Sequence, residues 1–219
     1  LGGQILLYGD WRAILLALAI FGAVCLLATF FVLGETLPPE RRGDLKLGAA
    51  FIAYGHIMQD RYAVGYILGG GLTTGAMFVY ITGSPIVLIT YFGVPPEWFG
   101  VLFSINVLGL MLSSMINIRL LKRYTVVQMT TAGQVCGALG AIALLILGGT
   151  GTFGIYGILL PTLFIVGING MVSGNINAIL MQRFPRNSGA AAALFGSTRV
   201  LFGAIGGSIL SVLSSDTPL

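Results

Sequence analysis

The sequence predicts an all-α integral membrane protein with six transmembrane helices, and three observations carry this prediction. Hydrophobic residues make up 56% of the chain and charged residues 8%, against about 25% charged in an average soluble domain. Six apolar stretches are each long enough to cross a bilayer, which takes about 20 helical residues. Nine of the eleven Lys and Arg residues lie in alternate gaps between these stretches. Helix is expected because lipid offers backbone polar groups no partner, so they must pair within the segment.

The alternate gaps also predict an orientation. Gaps at residues 92–97 and 148–154 hold no Lys or Arg. Short loops rich in Lys and Arg stay in the cytoplasm, so the basic gaps are expected inside and both ends of the chain outside. The predicted spans are residues 13–33, 63–91, 98–118, 126–147, 155–181 and 188–213.

The remaining composition argues against several classes of function. The formal charge of +4 reflects membrane topology rather than nucleic-acid binding, because no basic cluster lies on a soluble face. Cys25 and Cys136 both lie inside apolar spans, where we interpret them as small packed hydrophobes rather than as a disulfide or metal ligands. No cofactor or metal is predicted.

The first gap contains the only sizeable polar segment, residues 34–62. Its proline pair, Pro38-Pro39, is expected to end the first helix. Residues 45–59 are expected to form an interfacial helix along the cytoplasmic headgroups. The single histidine, His56, lies there as a solvated or interfacial side chain, with pH sensing as the alternative.

The second stretch, residues 63–91, is too long for one straight span and too short for two. Gly83-Ser84-Pro85 lies near its outer end, where Pro85 removes a backbone donor. A kinked or broken helix, of the kind that recurs at transporter sites, is one interpretation. A proline that ends a tilted helix near the interface is the other.

Glycines and polar residues within the spans predict how the helices pack. The 33 glycines include groups at residues 69–71, 133 and 137, 167–174 and 203–207, and small residues let membrane helices approach closely. Polar stripes at helical spacing run along three spans and indicate either a shared amphipathic cavity or hydrogen bonds between helices. The stripes consist of Thr73, Met77, Tyr80 and Ser84; Phe103, Asn106, Leu110, Ser113 and Asn117; and Thr162, Asn169, Ser173 and Asn177.

Arg199 is the only charged residue in the middle of a span. A charge there costs about 2.5–3.5 kcal/mol on insertion scales, and Arg does not readily lose its proton. We therefore expect it to face protein or water and to bind carbonyls, an Asn or an anionic group. Structural anchor and functional residue both remain open.

Several short motifs resemble a known family. Leu1-Gly2-Gly3, Gly9-Asp10-Trp11-Arg12 and Gly34-Glu35-Thr36-Leu37 are similar to the region around the fifth and sixth helices of major facilitator drug/proton antiporters. Ser84-Pro85, Asn117-Ile118-Arg119-Leu120 and the segment from Ser188 to Arg199 resemble the Bcr/CflA branch, which includes bicyclomycin-resistance proteins. The resemblance covers nearly the whole chain.

The resemblance implies a partial bundle that corresponds to the family's sixth to eleventh helices. Residues 1–33 would then be the end of one helix, an outer loop and the last helix of the N-terminal half. Residues 34–62 would be the central cytoplasmic loop, and residues 63–219 five helices of the C-terminal half, with its last helix missing. The chain is thus expected to be a fragment whose partners include the transporter's remaining helices.

The function expected from the resemblance is secondary active transport, with proton-coupled export of drugs or other small amphipathic molecules across the cell inner membrane. Substrate would bind near the midplane and be exposed alternately to each side. The expected cavity residues are Tyr80, Asn106, Asn169, Ser173, Asn177 and Arg199, and the expected hinge is Gly83, Ser84 and Pro85. The alternatives are a membrane-embedded enzyme, weakened by the absence of a Gly-x-Ser-x-Gly motif and of an intramembrane carboxylate, and a non-transporting receptor or scaffold.

Overall fold

The computed structural model describes residues 10–32 and 47–213, which belong to two separate units. The first unit contains helix α1, Trp11–Val32. Predictions for residues 1–9 and 33–46, including the Pro38-Pro39 helix end, lie outside the described residues. The second unit contains α2 Leu47–Met58, α3 Arg61–Pro85, a π-helical segment Ile86–Tyr91, α4 Pro96–Leu120, α5 Val126–Thr150, α6 Tyr156–Arg183 and α7 Ser188–Leu213.

Six of these helices are long and apolar enough to cross a membrane, which confirms the predicted number of spans. Several of their ends are capped by side chains or by glycine. Asp60 caps α3 by accepting from the backbone N–H groups of Tyr62 and Ala63 at 2.9 and 3.2 Å. Thr125 forms a capping box with Gln128 at the start of α5, and Gly151 ends that helix in the left-handed conformation.

Helix α6 is the centre of the second unit. More than half of its most apolar window, 56%, is buried, against 28% or less for each of the other spans. It packs against α3, α4, α5 and α7, while α3 and α7 also pack against each other. A cluster of buried apolar side chains joins α2, α3, α6 and α7 near the basic ends of these helices, and it includes Ile57, Ile67, Ile176 and Phe195.

Helix α2 falls within the predicted interfacial helix at residues 45–59 and confirms that this segment is helical. Ala53 and Ile57 are buried, whereas Phe51 and Ile52 are exposed. His56 is exposed, and its ring meets the Phe184 ring edge-on at 6.1 Å. Its position in the membrane interface remains a prediction.

Glycines bring the helices into close contact at most of the predicted groups. A Cβ added at Gly75 of α3 would lie 3.1 Å from the backbone oxygen of Phe202 in α7, and one at Gly206 would lie 3.3 Å from the oxygen of Gly75. A Cβ at Gly167 of α6 would similarly lie 3.3 Å from the oxygen of Gly109 in α4. Gly174 is an exception, with nothing within 4 Å. Backbone approach of this kind is what small residues permit in a membrane.

We expect Gly75→Val to destabilise the protein by about 1–3 kcal/mol, because the added side chain overpacks the α3–α7 contact against backbone that cannot rotate away. Gly65→Val on the same helix is the matched control, since a Cβ there meets nothing within 4 Å. Thermal unfolding of the purified full-length protein measures both. Equal losses in the two variants would show that the effect is one of helix propensity and not of helix contact.

Candidate functional site

Tyr80 and Asn106 are brought together from α3 and α4. Asn106 Nδ2 donates to Tyr80 Oη at 2.7 Å and to the carbonyl of Leu102 at 3.2 Å. Because a carbonyl can only accept, the Leu102 bond fixes which end of the amide carries the nitrogen. Asn106 Oδ1 is then left buried without a hydrogen-bond partner among the described residues. The Tyr80 ring lies parallel to that of Phe103, with centroids 6.1 Å apart.

Asn169, Ser173 and Asn177 follow one another along α6, as their spacing predicts. Ser173 Oγ donates to Asn169 Oδ1 at 3.2 Å, and Asn177 Nδ2 donates to the Ser173 carbonyl at 3.2 Å. Asn169 is 3% exposed, yet its Nδ2 has no partner in the described part of the chain. Both hydrogen bonds lie within α6 and do not connect it to a neighbouring helix. The buried Asn169 amide nitrogen therefore remains available as a donor.

Arg199 lies on α7 and contacts α3. Its Nε donates to Thr74 Oγ1 at 3.0 Å, and its guanidinium carbon lies 5.5 Å from the centroid of the Phe195 ring. Arg199 thus faces protein, and among the described residues its hydrogen-bond partner is a hydroxyl and not the expected carbonyl or Asn. An anionic partner stays a prediction. A hydroxyl oxygen can accept from Arg, and the ring face attracts the cation.

The predicted hinge residues Gly83, Ser84 and Pro85 form the last residues of α3, and the helix does not break there. Pro85 keeps right-handed helical angles of −63° and −41°, and the chain continues as the π-helical segment Ile86–Tyr91. The wider hydrogen-bond ring of this segment is seen in the bond from Phe92 N to Val87 O at 3.1 Å. The Ile81 carbonyl, which loses its usual backbone donor at Pro85, accepts from Ser84 Oγ at 3.4 Å. π-helical turns such as the one that follows are frequent at functional sites.

The predicted site residues therefore form three groups: Tyr80 with Asn106, the three polar residues of α6, and Arg199 with Thr74. Within the described residues, no hydrogen bond joins one group to another. What the first two groups share is a buried amide with one unused polar atom. A buried polar atom without a partner costs about 1–3 kcal/mol, and such atoms are rare enough in folded proteins to need a reason.

Two polar contacts were missed by the sequence analysis. Asn117 of α4 and Asn175 of α6 form a reciprocal amide pair, with each Nδ2 donating to the other's Oδ1 at 2.9 and 3.1 Å. Both side chains are buried. Asn117 was assigned to the α4 stripe, but Asn175 does not share the face of Asn169, Ser173 and Asn177. The presence of three asparagines within nine residues of α6 was the available signal.

The second missed contact joins the start of α3 to the end of α6. Asp60 Oδ2 forms a short ion pair with Arg183 Nε. This hydrogen bond, together with the bonds from the backbone N–H groups of Ala63 and Tyr62, lowers the pKa of the Asp60 carboxyl. The guanidinium carbons of Arg61 and Arg183 lie 5.0 and 5.3 Å from the Tyr62 ring centroid. The contact thus fixes the two helices at their basic ends.

The chain is similar to known membrane transport proteins over most of its length. Residues 1–207 match the model of the Major Facilitator Superfamily. A bicyclomycin resistance protein homolog of Haemophilus influenzae is 28% identical over 99% of this chain and 54% of its own length. The uncharacterized MFS-type transporter YdgK of Bacillus subtilis is 31% identical over 93% of this chain and 51% of its own length. The chain spans about half the length of these curated relatives.

We expect Asn117→Ala or Asn175→Ala alone to cost about 1–3 kcal/mol, because each leaves the other amide buried and unpaired. The double variant should cost less than the sum, by the roughly 0.6–1.7 kcal/mol measured for polar pairs in membranes. Unfolding free energies of the four proteins give this coupling. Asn177→Ala is the control, since its amide bonds only a carbonyl one turn away. Strictly additive costs would contradict a direct contribution from the pair.

Asp60→Asn should lower stability at neutral pH, because it removes the ion pair with Arg183. The pKa of Asp60 is lowered in the folded protein. The ion pair therefore stabilises the folded protein fully when the pH is above the ordinary Asp pKa of about 3.9, and this stabilisation is lost as the pH falls through the lower pKa of the folded state. The difference in unfolding temperature between wild type and variant should therefore shrink below about pH 4. Glu97→Gln, in the first turn of α4, is the control. A difference that persists unchanged at low pH would count against the ion pair.

Proposed function

Because this chain belongs to the Major Facilitator Superfamily, we propose that it forms part of a proton-driven exporter of drugs or other small amphipathic molecules. It is a multi-pass membrane protein of a transporter family and not an enzyme. Beyond this, we propose that the direction of transport is export, that proton flow drives it, that the substrates are drugs or other small amphipathic molecules, and that the protein lies in the cell inner membrane. The drug-resistance name of one relative supports that class of substrate.

The observation that carries the proposal is the pair of unused amide atoms in the membrane-spanning region. Asn106 Oδ1 can accept up to two hydrogen bonds and Asn169 Nδ2 can donate up to two. A purely structural bundle gains nothing from burying such atoms without partners, as the fully paired Asn117 and Asn175 illustrate. Substrate or water that enters between the helices would satisfy both atoms at one stage of the transport cycle.

The other proposed residues support these two amides. The Tyr80 ring and hydroxyl would offer a substrate both an apolar surface and a polar contact, and Ser173 and Asn177 would continue the polar face of α6. Arg199 would hold α7 against α3 through Thr74. The π-helical segment after Gly83, Ser84 and Pro85 would let the outer end of α3 bend as the site opens and closes.

Proton coupling is proposed to depend on the other half of the full-length transporter. Residues 63–213 contain one carboxylate, Glu97, at the outer end of α4, so no carboxylate in this region lies near the midplane. The carboxylates that bind and release protons would then lie on helices outside this chain. The same helices would supply the opposite wall of the cavity.

Substrate export by the full-length transporter in everted vesicles tests the site. We expect Tyr80→Phe, Asn169→Ala and Arg199→Ala each to reduce the initial rate at low substrate concentration about 2–10-fold, the loss of one net hydrogen bond. Ser104→Ala is the matched control, because this exposed hydroxyl of α4 bonds only the carbonyl of Gly100. Folded Asn169→Ala and Arg199→Ala variants that transport normally would refute the site assignment.

The driving force is tested separately in the same vesicles. Collapse of the proton gradient with an ionophore should abolish accumulation of the drug, since export against a concentration gradient needs coupled proton flow. The same ionophore should leave facilitated equilibration intact. Accumulation that survives the ionophore would contradict proton coupling while leaving the site assignment standing.

A further inference from the structure

A groove with a volume of about 550 Å³ lies at the basic end of the second unit, between the α4–α5 loop and the last turns of α6. This volume falls within the range of ligand sites, about 300–1,000 Å³. Nothing in the transport proposal uses this groove, because the candidate substrate residues lie further along the helices. Its walls include Leu121, Tyr124, Thr125, Val127, Ile179 and Arg183.

The rim of the groove carries uncompensated positive charge. Lys122 and Arg123, between the lining residues Leu121 and Tyr124, are exposed and have no side-chain ion pair with any described residue. In residues 47–213, six Lys and Arg lie at the basic ends of the helices, and Asp60 is the single carboxylate there. That carboxylate is already bound to Arg183. Residues 33–46 contain three acidic and three basic residues, so this segment does not change the balance.

Below the rim, the groove continues into an apolar helix face. Val127 lines the groove in the first turn of α5 and is exposed. Val135, Ile142 and Leu145 are also exposed and lie within about a quarter-turn of Val127 around the helix, given 3.6 residues per turn. The cations thus lie where α5 begins, at the depth of lipid headgroups, and the apolar face extends from them toward the membrane centre.

We propose that this groove binds an anionic phospholipid. Lys122 and Arg123 contact the phosphate, the amphipathic ring of Tyr124 lies at headgroup depth, and the acyl chains follow the Val127 face of α5. Basic pockets between helix ends on the cytoplasmic side are suited to anionic headgroups, and tyrosine is favoured at this depth. A free phosphate would meet the same cations, but only a lipid also covers the apolar face.

Titration of the purified full-length transporter with phosphatidylglycerol, with bound lipid counted by native mass spectrometry, tests the proposal without any transport assay. Loss of each contacting charge should weaken binding about fivefold, so Lys122→Gln with Arg123→Gln should weaken it roughly 25-fold. Arg186→Gln is the matched control, because it removes a charge from the same end in the α6–α7 loop but, unlike Lys122 and Arg123, is not next to a lining residue in the sequence. We expect the affinity of the Arg186→Gln variant for phosphatidylglycerol to stay within about twofold of the wild-type value.

Two further measurements on the wild-type protein complete the test. Phosphatidylcholine should bind much more weakly than phosphatidylglycerol, and glycerol phosphate should not displace bound phosphatidylglycerol. Equal weakening by Arg186→Gln would show a general charge effect and overturn the site. Equal binding of both lipids would refute headgroup selectivity, and displacement by glycerol phosphate would identify a free-anion site instead.

Discussion

The interior of a bilayer gives the backbone no hydrogen-bond partners and gives two apolar helices no hydrophobic reason to associate. The first condition explains why the apolar stretches are helices, and why the span through Pro85 continues as a π-helix instead of breaking. The second explains why close packing at glycine holds the bundle together. Where Gly75 meets Phe202 and Gly167 meets Gly109, backbone lies against backbone, and dispersion contacts replace the missing hydrophobic drive.

Because the bilayer interior also offers side chains no hydrogen-bond partners, the polar side chains of the spans are of two kinds. Asn117 with Asn175 and Arg199 with Thr74 connect different helices through bonds in which both partners are present. Asn106 and Asn169 each bury an atom that has no partner among the residues that the structure describes. In a low-dielectric environment paired groups stabilise one arrangement and unpaired groups penalise it. A transporter that alternates between arrangements needs both kinds, and α6 carries examples of each.

The sequence predicted the six spans and most of the glycine contacts, because apolar length and small-residue spacing are local properties. It also placed Asn169, Ser173 and Asn177 on one face of α6. It could not identify partners across helices, since periodicity defines a face but not the helix opposite it. For that reason the sequence identified neither Asn175 as the partner of Asn117 nor Thr74 as the partner of Arg199. The ion pair of Asp60 depends on the start of α3 lying beside the end of α6, which no local pattern encodes.

The central claim is that the polar face of α6 lines the substrate pathway. Cysteine labelling of the full-length transporter during turnover tests it directly, with all native cysteines, Cys25 and Cys136 among them, first replaced by alanine. A cysteine at Asn169 should react with a membrane-impermeant maleimide, and substrate should slow the reaction. A cysteine at Val135, on the exposed apolar face of α5, should remain unlabelled. Absence of labelling at position 169 during turnover, or labelling that substrate does not affect, would contradict the account.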